Sequence, residues 1–316
     1  GSSRVVIRGN SSLGGSNQPL YVIDGIPIDN SNLGGAGMWG GIDLGDGLSS
    51  INQDDIESIT VLKGPSATAL YGTRAQNGVI QITTKKGSRR KGIGVEFNSN
   101  FVTEEPLDLY TDVQTLYGAG TEGVRPETQD DALNTTRSSW GERLDGADVI
   151  QFDGSFAPYV NNASAIDEVY SNGQTWNNTL ALSGGSDDAT FRLSASDLRN
   201  NGMFENTGYN RNTITARGTS NLGSDFITVD AKITYINERA NNRPALSDSP
   251  HNPGHLNEVA SSVNLDILRK TDPNTGEYDP LYSTSIFRVN PYFGVYQQFN
   301  GDTRDRLQGF ALARMN

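Results

Sequence analysis

The chain has 316 residues, no cysteine and a formal net charge of −12. The missing cysteine removes disulfides, thiolate metal sites and a Cys nucleophile, and the acidic balance argues against nucleic acid, whose phosphates need clustered Lys and Arg. Only 34 % of residues are apolar while 36 are glycine, a composition that folds when each element keeps its apolar residues on one face, as antiparallel sheets do.

The N-terminal "GSSRVVIRGN" lacks the charged-then-apolar layout of a signal peptide and reads as a cut inside a longer precursor. "RVVIRG" (4–9), "LYVIDG" (20–25), "IESITVLKG" (56–64) and "GVIQITTKK" (78–86) are strand candidates rich in Val, Ile and Thr. Residues 31–50 carry seven glycines without periodicity and read as loop. Pro65 suits a first helical turn, Ala67 to Tyr71 are helix-compatible, Gly72 is a natural stop, and Asn77-Gly78 turns into the next strand. Residues 1–90 therefore read as a small mixed α/β unit. The basic run Lys85 to Lys91 at its end reads as a solvated linker or an interfacial strap.

From Gly92 the pattern changes. "GIGVEFNSNFV", "WNNTLALSGG", "ATFRLSASDL", "RNTITARGT" and "FITVDAKITYI" are extended segments near ten residues long, and most alternate; "RLQGFALARM" (306–315) is a poorer sixth. In the fifth, Ile227, Val229, Ala231, Ile233 and Tyr235 share one face, and Thr228, Asp230, Lys232 and Thr234 the other. Such length suits tilted transmembrane strands of about 9–11 residues rather than soluble strands of about 5–6. Connections alternate between long (104–173, 240–301) and short (185–188, 221–225), the habit of outer-membrane barrels with periplasmic turns and extracellular loops. Within the long connections, 107–118 and 255–268 show helical periodicity, the latter through Leu256, Val259, Val263 and Ile267. No run approaches eighteen apolar residues, which excludes a transmembrane helix. Six strands are too few to close a barrel, so the barrel reading expects a longer chain.

"VVIRGN", "QPLYVIDGIPIDN" and above all "DDIESITVLKGPSATALYGTRAQNGVIQITTKKG" resemble the plug of SusC/RagA-type TonB-dependent outer-membrane transporters. "NNTLALSGGSDDATFRLSASDLRNNGMFENTGYNRNTITARGTSNL" resembles that family's first barrel hairpins. The resemblance implies a transmembrane antiparallel β-barrel of about 22 strands with an N-terminal mixed α/β plug: plug at 1–90, the leading part of the barrel at 91–316. It implies active import of an oligosaccharide or peptide across the outer membrane, with a SusD-like surface lipoprotein and with TonB acting through a segment before residue 1. Outer-membrane lipid would surround the barrel.

The resemblance also places Arg8 and Lys63 where such transporters carry basic residues paired with acids of the barrel wall, an arrangement a buried cation requires. Arg74 is a third candidate, with a turn-stabilising role as the alternative. Trp39, a large aromatic in a glycine-rich loop, is the candidate for ligand contact by stacking, against an interfacial or packing role. Other motifs fail: "HNPGH" lacks the glutamate of a zinc protease, "GPSATALYG" lacks the Lys-Ser/Thr of a phosphate loop, and no acid, base and nucleophile converge, so no enzyme is expected. Asp43, Asp46, Asp54 and Asp55 lack EF-hand spacing; no cofactor is expected, a loose Ca²⁺ site being the one metal option. The competing readings are a siderophore- or cobalamin-type importer of the same fold and a secreted β-rich adhesin or carbohydrate-binding protein.

Overall fold

The computed structural model describes residues 4–7, 9, 17–30, 37–63, 65–89, 92–107, 114–162, 170–222 and 226–315. The N-terminal part builds a four-stranded sheet from β1 (Leu20–Ile23), β2 (Ile26–Ile28), β3 (Ile56–Leu62) and β4 (Val79–Thr84), in the order β2-β1-β4-β3. The β1–β2 hairpin closes on Asp24 and Gly25, with φ of 50° and 89°, so the chain reverses in two residues; the Asp-Gly pair is what such a turn demands. β1 then runs parallel to β4, reached through α1 (Pro65–Tyr71) and a 3₁₀ turn at Gly72–Ala75. Val22, Val79, Ala67 and Ala75 are fully buried between this sheet and its helix, flanked by Leu20, Leu62 and Tyr71. The expected strand at 4–9 does not form in its described residues.

The chain leaves this unit against the second sheet. A Cβ on Gly87 would lie 2.5 Å from the backbone N and O of Phe191, so only glycine lets the two backbones pass this closely. β5 (Ile93–Glu104) then starts the second sheet, and a long connection follows with α2 (Gln129–Asn134) and a hairpin of β6 (Asp148–Ile150) and β7 (Phe156–Pro158). After it come β8 (Gly173–Gly185), β9 (Ala189–Asn201), β10 (Gly208–Leu222), β11 (Ile227–Asn241) and β12 (Gly301–Met315). Each pairs antiparallel with its neighbour in the order β12-β11-β10-β9-β8-β5, and the sheet stays open at both edges. At 12–15 residues, these strands are longer than the sequence segments suggested.

Burial in the six-stranded sheet is inverted. The face toward the small sheet buries Thr179, Arg192, Ser194, Arg211, Thr213, Arg217 and Glu238. The opposite face leaves Val95, Phe97, Leu180, Leu193, Ile214 and Ile233 between 47 % and 68 % exposed. A sheet in a water-soluble sandwich does the reverse.

The two long connections pack on each other at the end of the sheet away from the short turns. Ala119, Leu256, Ala260, Val263, Leu265, Leu268 and Tyr282 form their core, and Ala260 N–H donates to the Thr136 carbonyl (2.8 Å). The helix expected over 255–268 is instead two 3₁₀ turns, Pro253–Glu258 and Leu265–Arg269. Val259 is extended (φ −75°, ψ 135°), and the Asn252 and Asn264 side chains each start a fresh turn by accepting a backbone N–H. Leu256, Val263 and Ile267 are buried as their spacing suggested, in a different backbone. Of the helix expected at 107–118, residues 108–113 lie outside the described residues and 114–118 are not helical, Tyr117 forming an isolated bridge with Arg143. α3 (Pro291–Tyr296), capped by Asn290, completes this layer.

Candidate functional site

The inverted face offers few apolar residues, Ala181, Ile236 and Ala240 among them, and the small sheet is seated on it mainly by polar groups. The first cluster forms around Asp24. The hairpin turn thrusts its carboxylate under the end of β4, where it accepts from Thr84 N (2.9 Å) and Thr84 Oγ1 (2.7 Å). From the six-stranded sheet, the wall that faces the small unit, Arg217 Nη1 approaches Asp24 at 3.3 Å and Lys232 Nζ at 3.1 Å. Arg217 also donates to the Thr84 carbonyl (2.9 Å) and, through Nε and Nη2, to both oxygens of Asp230 (3.0 and 2.8 Å). Asp24 and Arg217 side chains are only 3 % and 4 % exposed. Burial pushes the Asp24 carboxyl up, but the two Thr84 hydrogen bonds, then Lys232 and Arg217, outweigh it and hold the group below the usual carboxylate range.

A second cluster surrounds the 3₁₀ turn at Gln53–Asp55, which Asn52 caps. Asp55 receives Arg192 Nη2 (3.3 Å) and Ser194 Oγ (2.8 Å); Asp54 receives Thr179 Oγ1 (2.5 Å), Asn177 Nδ2 (3.2 Å) and Asn98. A third ties the loop before that turn: Arg211 donates to the Ser49 carbonyl, Arg306 to Ser50 Oγ (2.5 Å) and Arg304 to the Leu44 carbonyl (3.1 Å). The buried pairs thus set acids of the small unit against cations of the wall, the opposite sense to that expected for Arg8 and Lys63. Small-unit cations do meet wall acids at its exit, where Lys85 pairs with Glu96 (2.6 Å) and Lys86 with Asp230 (3.4 Å), both lysines more exposed.

Of the residues singled out from sequence, Arg8 lies outside the described residues. Lys63 is exposed just past β3, and Arg74 is exposed in the 72–75 turn. Trp39 is 79 % exposed at the tip of a tight turn closed by the Gly37–Gly40 bridge. The four acids considered for Ca²⁺ have separate tasks: Asp43 accepts from Gly45 N, Asp46 from Ser49 N, and Asp54 and Asp55 face the wall. Among the described residues no cluster of three or more His, Asp or Glu is arranged to hold a metal. Asp24, Arg192 and Arg217 were missed. Their signal was present: a cation at an inward phase of an alternating strand needs an acid facing it.

The TonB-dependent Receptor Plug Domain profile matches residues 1–79. The chain is 29 % identical over 289 residues to the TonB-dependent receptor SusC of Bacteroides thetaiotaomicron, aligning 89 % of this chain with 25 % of that protein. Over 74 residues it is 42 % identical to the ferrienterobactin receptor of Escherichia coli, 23 % of this chain and 10 % of that one. The RagAB peptide importer in its open-open state shares the fold, with a TM-score of 0.64 at 21 % identity over 97 % of this chain and 33 % of that one. The chain therefore spans about a quarter of the length of the SusC relative. The plug match, the SusC alignment along nearly the whole chain and the common fold agree, and the chain belongs to the SusC/RagA-type TonB-dependent receptors.

Proposed function

We propose that this chain is the plug (residues 1–90) and the leading part of the barrel wall (residues 91–316) of a receptor that imports oligosaccharides or peptides across the outer membrane. In the longer receptor about 22 strands would close the barrel, the segments at 104–173 and 240–301 would face the cell exterior, a SusD-like lipoprotein would cap them, and TonB would pull on the plug from the periplasm. The observation that carries this reading is the inverted sheet, with Arg192, Arg211 and Arg217 buried toward the plug and Leu193, Ile214 and Ile233 turned outward. A wall between lipid and a plugged, polar bore needs that pattern.

The ionic seam supplies a mechanism. Hydrogen-bonded ion pairs are short-ranged and can re-form, so force on the plug would separate Asp24 from Arg217 and Lys232, and Asp55 from Arg192, in discrete steps. Arg8, Lys63 and Arg74 would add pairs to the wall strands beyond this chain, and Trp39 would contact cargo from the plug's outer loop. Deleting the full-length receptor gene should abolish growth on one polymeric glycan or peptide source, with the same loss on removing TonB. A growth defect confined to iron limitation would instead support the siderophore reading.

A further inference from the structure

The outward face of the wall changes character in a single register step. Ile227, Val229, Ala231, Ile233 and Tyr235 of β11 mark the apolar part, which spans nine residues of strand from the short-turn end. At about 3.4 Å per residue and a tilt near 40° that is roughly 21 Å of height, close to the apolar band of outer-membrane barrels. The next outward row, in register across all six strands, is Ser99, Asn178, Asp197, Asn212, Asn237 and Asp305. Above it, Trp176 of β8 sits opposite Arg199 of β9, and Asn210 of β10 pairs with both Arg199 and Arg239 of β11. The two arginines stand two strands apart, about 10 Å.

Between them lies a shallow outward groove of about 660 Å³, lined by Trp176, Asp197, Arg199, Asn210, Asn212 and Arg239. The acids of the lower row are already engaged. Asp305 accepts from Tyr235 OH (2.7 Å) and Asn237 Nδ2 (2.8 Å), and Asp197 accepts only Nε of Arg199 (2.9 Å). The terminal nitrogens of Arg199 and the whole Arg239 guanidinium make no hydrogen bond among the described residues, and Arg199 is 70 % exposed.

We propose that Arg199 and Arg239 hold the phosphomonoester of an outer-leaflet lipid headgroup in this groove. Planar guanidinium donors match phosphate oxygens, and Trp176 is a ring suited to the same depth. A docked protein would instead be expected to find an apolar centre with few charges. This inference rests on the membrane-wall reading above.

The test uses the full-length receptor, purified in detergent and titrated with phosphatidic acid or phosphatidylcholine, with bound lipids counted by native mass spectrometry. Arg199→Gln with Arg239→Gln should weaken phosphatidic acid retention about tenfold and leave phosphatidylcholine unchanged. The single variants, each expected to weaken it less, serve if the double variant fails to fold by heat-modifiable migration. Equal retention of phosphatidic acid by wild type and variant overturns the proposal, as does a change in oligomeric state without a change in lipid. Insertion into phosphatidylcholine vesicles is measured alongside. A receptor that does not insert contradicts the membrane-wall reading itself, whereas one that inserts with unaltered phosphatidic acid binding contradicts the headgroup site alone.

Discussion

The plug sheet and the wall sheet use the same period-two alternation and bury opposite halves of it. In the plug, Val22 and Val79 are wholly buried beneath a helix, the ordinary outcome of the hydrophobic effect in water. In the wall, Leu193 and Ile233 are turned outward while Arg192 and Arg217 are 5 % exposed on the inside. The contrast teaches that apolar packing contributes little to joining the two units, since the plug's core lies between its own sheet and helix and most large apolar residues of the wall face outward. What remains for the seam is charge and hydrogen bonding, which seats the plug firmly yet leaves no greasy interface to tear.

The seam fails most severely where one of its charges loses its partner. Arg217→Ala strips Asp24 and Asp230 of their shared guanidinium in a buried setting, and should destabilise plug seating by about 3–5 kcal/mol, read as faster protease cleavage of the plug in the folded full-length receptor. The outward face is tested next. Leu193→Arg should cost about 2–4 kcal/mol of barrel stability in lipid vesicles, because it puts a cation where the account places hydrocarbon, whereas Ser194→Ala on the adjacent inward position should cost about 1–3 kcal/mol by leaving Asp55 short of a donor. Thr84→Val removes the hydroxyl that donates to Asp24 and accepts from Arg217 and Lys232, and should loosen the plug by about 1–2 kcal/mol in the same protease assay.

The smallest effect is a pH dependence. The Asp24 carboxyl keeps a pKa below its unfolded value of about 3.9, so its contribution to seating is complete above that value and fades as pH falls through the lower folded one. Plug protection measured from pH 6 downward should therefore stay level to about pH 4 and then decline, and Asp24→Asn should flatten part of that decline.

Much of this was readable because it is local. Strand alternation, the Asp24-Gly25 turn and the Pro65 helix start each depend on neighbouring residues, and each formed. β12 was harder to read because Phe310 breaks its alternation from the inside; its ring lies 5.5 Å below the Arg217 guanidinium, where a polar residue was expected. The helix expected at 255–268 failed because apolar spacing reports burial, and two asparagine caps decided the backbone. The seam itself was out of reach. Arg192 meets Asp55 across 137 residues and Arg217 meets Asp24 across 193, so the pairing depends on how two separate sheets are registered. Residue type could say that a wall arginine needs an acid but could not say which one.

Which face of the wall meets lipid is tested most directly on β11. This stretch contains no cysteine, so single cysteines placed along 227–241 in the full-length receptor can carry spin labels in liposomes. Labels at 227, 229, 231 and 233 should be reached by oxygen dissolved in the bilayer, while those at 234 and 238 should be shielded from it. Lipid exposure at the even positions, or none of the alternation at all, would contradict a membrane wall closed around a charged plug.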